Sequence, residues 1–337
     1  MVMKSRTMLL FLALCAGIII TQTGCKNQEP VEQTEFLLNT ACTITVYDLK
    51  EKEAQAVIQA GFDCCRQYEN LLSKTVEGSD IYRLNHAKGQ PVEVSGPTLE
   101  VIKQGIRYGD LSEGMFDITI GAVSDLWDFT NVNAPVPDEK KIQAAVKTVD
   151  YKQIKIQGNQ VRLEDPKAHV DLGGIAKGYI ADRVTEVMEL QGAERAIINL
   201  GGNIVTIGEK EEGKPWNIGV ERPYSDRTEI LGSVKISDAA ISTSGIYERF
   251  IKQGGKLYNH VLNPKTGYSI ENSLDSVTIL AAKGRSMDCD ALGTVCLMLG
   301  AEKGRTLLEG MEGVRAVFVD QDENLQTING MKIEETH

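Results

Sequence analysis

Short β-prone segments crowd the chain from residue 151 onward, at 151–156, 160–163, 196–200, 204–207, 216–221, 230–236, 257–262, 274–281 and 314–319. Helical periodicity interrupts them at 175–190, 286–299 and 303–311. Strict β-α alternation would build a parallel sheet, and an unbroken β series a sandwich or barrel. This pattern is neither, so it predicts an α+β fold with mixed or antiparallel sheets and flanking helices. Ahead of it, 36–47 (FLLNTACTITVY) reads as one strand. Ala54, Val57, Ile58, Cys65, Tyr68 and Leu72 then fall at three- and four-residue steps, predicting a helix over 51–72. A further helix is expected over 97–111, with Pro97 in its first turn, and 131–138, which holds two prolines, is expected to be a loop. No repeat or low-complexity linker divides the chain, so one domain is expected over 36–333.

The N-terminus reads as a targeting signal. Lys4 and Arg6 precede the apolar run 8–20, which is short for a bilayer span and ends at Gln22-Thr23-Gly24-Cys25. Residues 1–24 resemble a lipoprotein signal peptide cleaved before Cys25, with 25–35 as a polar tether. An ordinary signal peptide or a short anchor is the alternative. Acylation of Cys25 would hold the mature chain on the outer face of the cytoplasmic membrane, or on its periplasmic side, each buried methylene contributing roughly 0.8 kcal/mol.

Export permits disulfides, yet the cysteines give no framework. Cys64 and Cys65 are adjacent, Cys289 and Cys296 share a helix, and Cys42 stands alone in a strand-like segment. No C-x-x-C pair exists, which excludes the usual zinc spacings, and small buried apolar side chains are the plainer reading. A net charge of −11 argues against a nucleic-acid surface. An anionic ligand would therefore be held locally, by a metal, a lysine or a helix terminus.

Several segments could carry chemistry. In Gly114-Met115-Phe116-Asp117-Ile118-Thr119-Ile120-Gly121, a planar ring could lie against the chain while Asp117 accepts from a ring N–H; a glycine-bounded core strand is equally compatible. VDLGGIAKGY (170–179) has neither Walker nor dinucleotide spacing. Glycines before a helix start would nevertheless expose amide donors to an anion, with Lys177 adding charge, unless they are merely structural. Asp171 would repel a phosphate there unless it binds something else or a metal intervenes. Asn199-Leu200-Gly201-Gly202-Asn203 reads as a turn between strands, and 243–249 clusters hydroxyls with Arg249. His260 lies in HVLNPKTG, where a strand runs into a Pro-x-x-Gly turn, and is either a catalytic group or a structural one. Asp290 and Thr294 fall four apart on one helix face, a spacing that suits a hard cation such as Mg²⁺ or Ca²⁺, or else an N-cap with a surface threonine.

Taken in order, GMFDITIGAVSDLW, VDLGGIAKGYIAD, NLGGN, STSGIYER, HVLNPKTG and DALGT, behind a lipoprotein-like signal, resemble the ApbE family of FAD:protein FMN transferases over most of 36–333. The resemblance implies a single T-fold-like domain. Such a domain binds FAD as substrate and, with Mg²⁺, moves FMN to a Ser or Thr hydroxyl of an exported acceptor, a redox-complex subunit, releasing AMP. It further implies FAD contacts from Met115, Phe116, Asp117, Asp171, Lys177 and Leu262. Metal ligands would come from the Asp290 and Thr294 side chains and the Gly174 carbonyl, and His260 would serve in the transfer. Two positions depart from the pattern: Ala41-Cys42-Thr43 stands where relatives often carry Met-Gly-Thr, and Thr75 where many carry Tyr.

The residues are compatible with that chemistry. A divalent ion would neutralise a pyrophosphate opening to attack, and His260 could accept the proton of the incoming hydroxyl, with Asp171 or Asp288 as other candidates. Hydrolysis of FAD to FMN and AMP by water, and flavin carriage without chemistry, remain open on the sequence alone.

Overall fold

The computed structural model describes residues 29–225 and 229–335. The expected signal segment and Cys25 lie outside the described residues. Among the described residues no helix is long and apolar enough to cross a membrane.

The core is an eight-stranded antiparallel sheet whose spatial order follows the chain: Val31–Leu37, Thr40–Val46, Ala196–Leu200, Asn203–Ile207, Ala239–Gly245, Leu274–Ala282, Arg315–Asp320 and Leu325–Ile328. Helices Glu51–Leu72, Ala176–Leu190 and Ser286–Glu309 pack together over one face. A small sheet of Trp216–Glu221, Ile230–Ile236 and Glu334–Glu335 covers the other, where Trp216, Val220 and Val234 meet Ile241, Leu280 and Val317. The interior strand Leu274–Ala282 is buried on both faces as far as Ala281, its polar Asp275, Ser276 and Thr278 included. A third cluster, with Val123, Trp127, Ile142, Ile251 and Leu262, fills a side lobe, where the Trp127 indole N–H donates to the Gly267 carbonyl at 3.1 Å. The class is α+β as expected, and of the mixed or antiparallel sheets expected the ladders are the antiparallel kind.

Several local expectations change. The segment 36–47 is two strands, because Leu38 and Asn39 turn the chain at φ 54° and 57°, the left-handed pair of a tight hairpin. Strand pairing begins at Val31, within the segment expected to be a tether. Tyr151–Gln153 is a 3₁₀ turn ahead of strand Ile154–Gln157, and 257–262 is strand only through Asn259. The helices at 286–299 and 303–311 join into Ser286–Glu309, broken only at Gly300, where φ is 77°. Gly201 and Gly202 form the expected turn with φ 61° and 91°. The cysteines at 42, 64, 65, 289 and 296 are buried free thiols, and burial pushes those of Cys42 and Cys64 up to about 11.

The seam between helices Ala176–Leu190 and Ser286–Glu309 positions the candidate site. At Gly178 an added Cβ would stand 2.2 Å from the Ser286 carbonyl oxygen, so the helices touch through backbone. On the next turn the Asp182 carboxylate accepts from the Ser286 and Met287 amides at 2.9 and 3.1 Å, satisfying two otherwise unpaired donors at the start of the second helix. Gly178→Ala is therefore expected to lower stability by about 1–3 kcal/mol through forced separation of the helices, read as a lower urea midpoint; an unchanged midpoint would contradict the tight seam. Burial raises Asp182 from 3.8 to about 6 despite its amide donors. The folded state then holds that proton more tightly than the unfolded chain, so Asp182's contribution to stability falls as pH rises from about 4 to about 6 and is level above. Asp182→Asn should flatten that part of the stability–pH curve, measured by urea unfolding across pH.

Candidate active site

The start of helix Ala176–Leu190 and the first turns of Ser286–Glu309 face each other beside the main sheet. Asp290 is the centre of this meeting. It is only 3% exposed and lies inside the helix, since Arg285 occupies the N-cap position, so the capping alternative does not hold. One carboxylate oxygen accepts from the Gly178 amide at 2.9 Å. The other accepts from the Asn203 side-chain amide at 3.3 Å and faces the Lys177 ammonium at 3.6 Å. The helix-terminus amide expected to meet an anionic ligand is, at Gly178, engaged by this protein carboxylate instead.

Thr294 lies one turn on, half-buried, with its hydroxyl 3.4 Å from the Asp290 carbonyl. Gly174 approaches from the opposite helix start, so that a Cβ there would come within 3.0 Å of the Phe116 ring and 3.4 Å of Thr294 Oγ1. Phe116, Gly174, Thr294, Asp290 and Lys177 thus converge from segments far apart in sequence. Asn203 adds a feature that the sequence did not single out. It is 2% exposed, and its Oδ1 has no hydrogen-bond partner although its amide nitrogen reaches Asp290. A buried acceptor left unpaired costs about 1–3 kcal/mol, and a bound cation or its water would relieve that cost. Carboxylate, hydroxyl and carbonyl oxygens form a hard donor set suited to Mg²⁺. Among the described residues no group of three or more His, Cys, Asp or Glu side chains could hold a metal. A cation at Asp290 would therefore need oxygens from its substrate, the usual situation for Mg²⁺ beside phosphates.

Asp171 belongs to an adjoining network. Its Oδ2 accepts from Ser124 at 2.7 Å and pairs with Lys74 at 2.9 Å, while Oδ1 accepts from the Gly173 amide at 2.9 Å. These donors, led by the Lys74 charge, outweigh burial and hold the carboxyl below the usual range. Lys177 also donates to the Gly173 carbonyl at 3.4 Å, so the two networks share the glycine loop.

His260 is half-buried, with Nδ1 at 3.3 Å from the Arg249 carbonyl, and its ring lies edge-on to Phe129 at 6.4 Å between centroids. Desolvation, then the Arg249 guanidinium and more weakly Lys177, bring its pKa down to about 4. The imidazole is therefore neutral at neutral pH, free to accept a proton.

Other expected contacts are placed differently. The segment 114–121 is a series of turns and not a strand. Both Asp117 oxygens face inward, Oδ1 accepting from the amide and hydroxyl of Thr119 and Oδ2 from the Tyr151 amide. Its carboxylate is occupied by the fold, which leaves main-chain atoms and the half-buried Met115 to meet a ligand. Leu262 is buried in the side-lobe core, with the same consequence. Asp288 accepts from the Tyr108 hydroxyl at 2.5 Å and from Arg285 at 2.9 Å, so it is not a free base. Lys74, Ser124 and Asn203 were missed because nothing near them in sequence signals their partners.

Comparisons with known proteins bear on the family of the whole chain. A Klebsiella pneumoniae protein called FAD:protein FMN transferase is 35% identical over 86% of this chain and 89% of its own length. One of the same name from Escherichia coli K12 is 30% identical over 82% of this chain and 77% of its own. The crystal structure of an ApbE protein from Thermotoga maritima superposes with a TM-score of 0.80 at 30% identity, covering 89% of this chain and 97% of that one. The flavin transferase ApbE of Vibrio cholerae gives 0.78 at 28% identity, with coverage of 89% and 97%. With residues 38–318 matching the family as well, the chain belongs to the ApbE family.

Proposed function

We propose that the chain is a Mg²⁺-dependent FAD:protein FMN transferase that moves FMN from FAD to a Ser or Thr hydroxyl of an exported acceptor protein and releases AMP. The relatives' shared name supports the transferase activity. One observation carries the metal-dependent reading. Asp290 and Thr294 sit one turn apart on a buried helix face, opposite the Gly174 backbone and beside the unpaired Asn203 oxygen.

In this reading the Asp290 carboxylate, Thr294 hydroxyl and Gly174 carbonyl would hold Mg²⁺. Charge neutralisation at the pyrophosphate is the chemistry that such an ion would supply there. Asp290 is held in orientation by the Gly178 amide, Asn203 and Lys177, which all face it. Lys177 supplies a second positive charge toward the substrate's phosphates, and Met115 and Asp171 line the flavin nucleotide's approach, with Phe116, Asp117 and Leu262 contributing main chain. The acceptor oxygen forms a bond to the FMN phosphorus, and the phosphoanhydride bond to AMP breaks. His260, neutral before the reaction, accepts the hydroxyl proton. A base of pKa about 4 is weak, but negative charge on an arriving pyrophosphate would raise it toward its working range. Acylation at Cys25 would hold the enzyme against the outer membrane face, where exported acceptors are met.

A purified chain incubated with FAD, Mg²⁺ and an acceptor protein should yield UV-fluorescent acceptor on a denaturing gel, together with AMP. Free FMN alone would convert the assignment to FAD hydrolysis, and intact FAD would leave only flavin carriage. Asp290→Ala is expected to weaken Mg²⁺ binding and lower turnover by about 10²-fold or more while the fold survives; turnover at the parent rate would remove Asp290 from the metal site. His260→Ala should keep FAD binding and slow transfer by about 10²- to 10⁴-fold. In the unsubstituted enzyme the free-enzyme acid limb should fall near pH 4, seen in kcat/KM across pH. A limb near 6.5 that survives in His260→Ala would assign the base elsewhere.

A further inference from the structure

We infer that Lys74 is a positioning residue for flavin-nucleotide binding, acting through Asp171. This inference rests on the FAD reading above. Lys74 lies two residues beyond helix Glu51–Leu72, and its side chain is 22% exposed. Its ammonium has three oxygen partners: Asp125 Oδ1 at 2.7 Å, Ser124 Oγ at 2.7 Å and Asp171 Oδ2 at 2.9 Å. Three N–H donors thus meet three acceptors, which leaves the group no spare donor for a ligand. The Ser124 hydroxyl in turn donates a hydrogen bond to Asp171 at 2.7 Å, so Lys74 acts on that carboxylate both directly and through Ser124. On the far side of Asp125 stands His169, whose Nδ1 is 2.8 Å from Oδ2.

The arrangement explains how an acid can stand in a loop that must admit a nucleotide. Asp171 begins the turn that leads to Gly174, and its Oδ1 holds the Gly173 amide. Its other oxygen is fastened to residues from two other parts of the chain. Without Lys74, Asp125 and Asp171 would face each other across Ser124 with no cation between them. Their mutual repulsion would swing Asp171 out and distort the glycine loop. Lys74 also remains charged despite its burial, because both carboxylates stabilise the ammonium. A cation that is fully engaged by protein oxygens orients the site without touching substrate, which distinguishes its role from that of Lys177.

Equilibrium FAD binding, followed by flavin fluorescence, tests this with Lys74→Met, Lys74→Arg, Asp171→Asn and the Lys74→Met/Asp171→Asn double variant, each checked for a parent-like melting curve. Removing a charged hydrogen-bonding partner should weaken FAD binding by about tenfold or more in Lys74→Met. KM for FAD should rise while kcat at saturation stays within a few-fold, and Lys74→Arg should recover most of the loss. The double variant should bind no more weakly than the worse single variant, because both substitutions break one unit. Parent-like affinity in Lys74→Met, or losses that multiply fully in the double variant, would overturn the role of Lys74 alone. An unsubstituted chain that binds no FAD would overturn the flavin reading and this inference with it.

Discussion

The hydrogen bond from the Gly178 amide to Asp290 is the contact on which the site depends. It forms because two helices meet through bare backbone, with no room for a side chain at position 178. An isolated carboxylate buried to 3% exposure would be costly, and here three groups face it: a helix-terminus amide, the Asn203 amide and the Lys177 ammonium. Asp182 fixes the same seam one turn away by holding the opening amides of the helix that carries Asp290. The glycines of the 170–179 loop, first read as an anion cradle, serve this approach at least as much as they serve a ligand.

A chain of net charge −11 must draw an anionic substrate into one spot against its own overall field. The structure does so by compensating its two site carboxylates locally. Asp290 is offset from the helix start, and Asp171 from Lys74 and Ser124, so neither presents a bare charge to a phosphate. The glycine loop between them joins both networks, since Gly173 donates to Asp171 and accepts from Lys177. Displacement of either carboxylate would therefore be felt at Gly174.

Much of the fold was readable in the sequence. Strands Gln160–Leu163, Ala196–Leu200, Trp216–Glu221 and Ile230–Ile236 and helix Glu51–Leu72 have the bounds that residue pattern predicts, because turn residues punctuate them clearly. Strand Ala239–Gly245, central to the sheet, was missed. Its small and hydroxylated residues carry little apolar pattern, and only its neighbours bury it. The Leu38-Asn39 turn was also missed, because leucine rarely takes positive φ. At the site, the four-residue step from Asp290 to Thr294 was readable as one helix face. The approach of Gly174 to Thr294 was implied only by family resemblance. The bonds from Lys74 to Asp125 and from Asn203 to Asp290 span 51 and 87 residues, and no local pattern encodes such pairings.

The most direct test of the account is anomalous diffraction from crystals soaked with FAD and Mn²⁺ in place of Mg²⁺. A peak at bonding distance from the Asp290 carboxylate, Thr294 Oγ1 and the Gly174 carbonyl, and shared with the FAD pyrophosphate oxygens, is the predicted result. A peak elsewhere, or FAD bound in full with no metal beside Asp290, would contradict it.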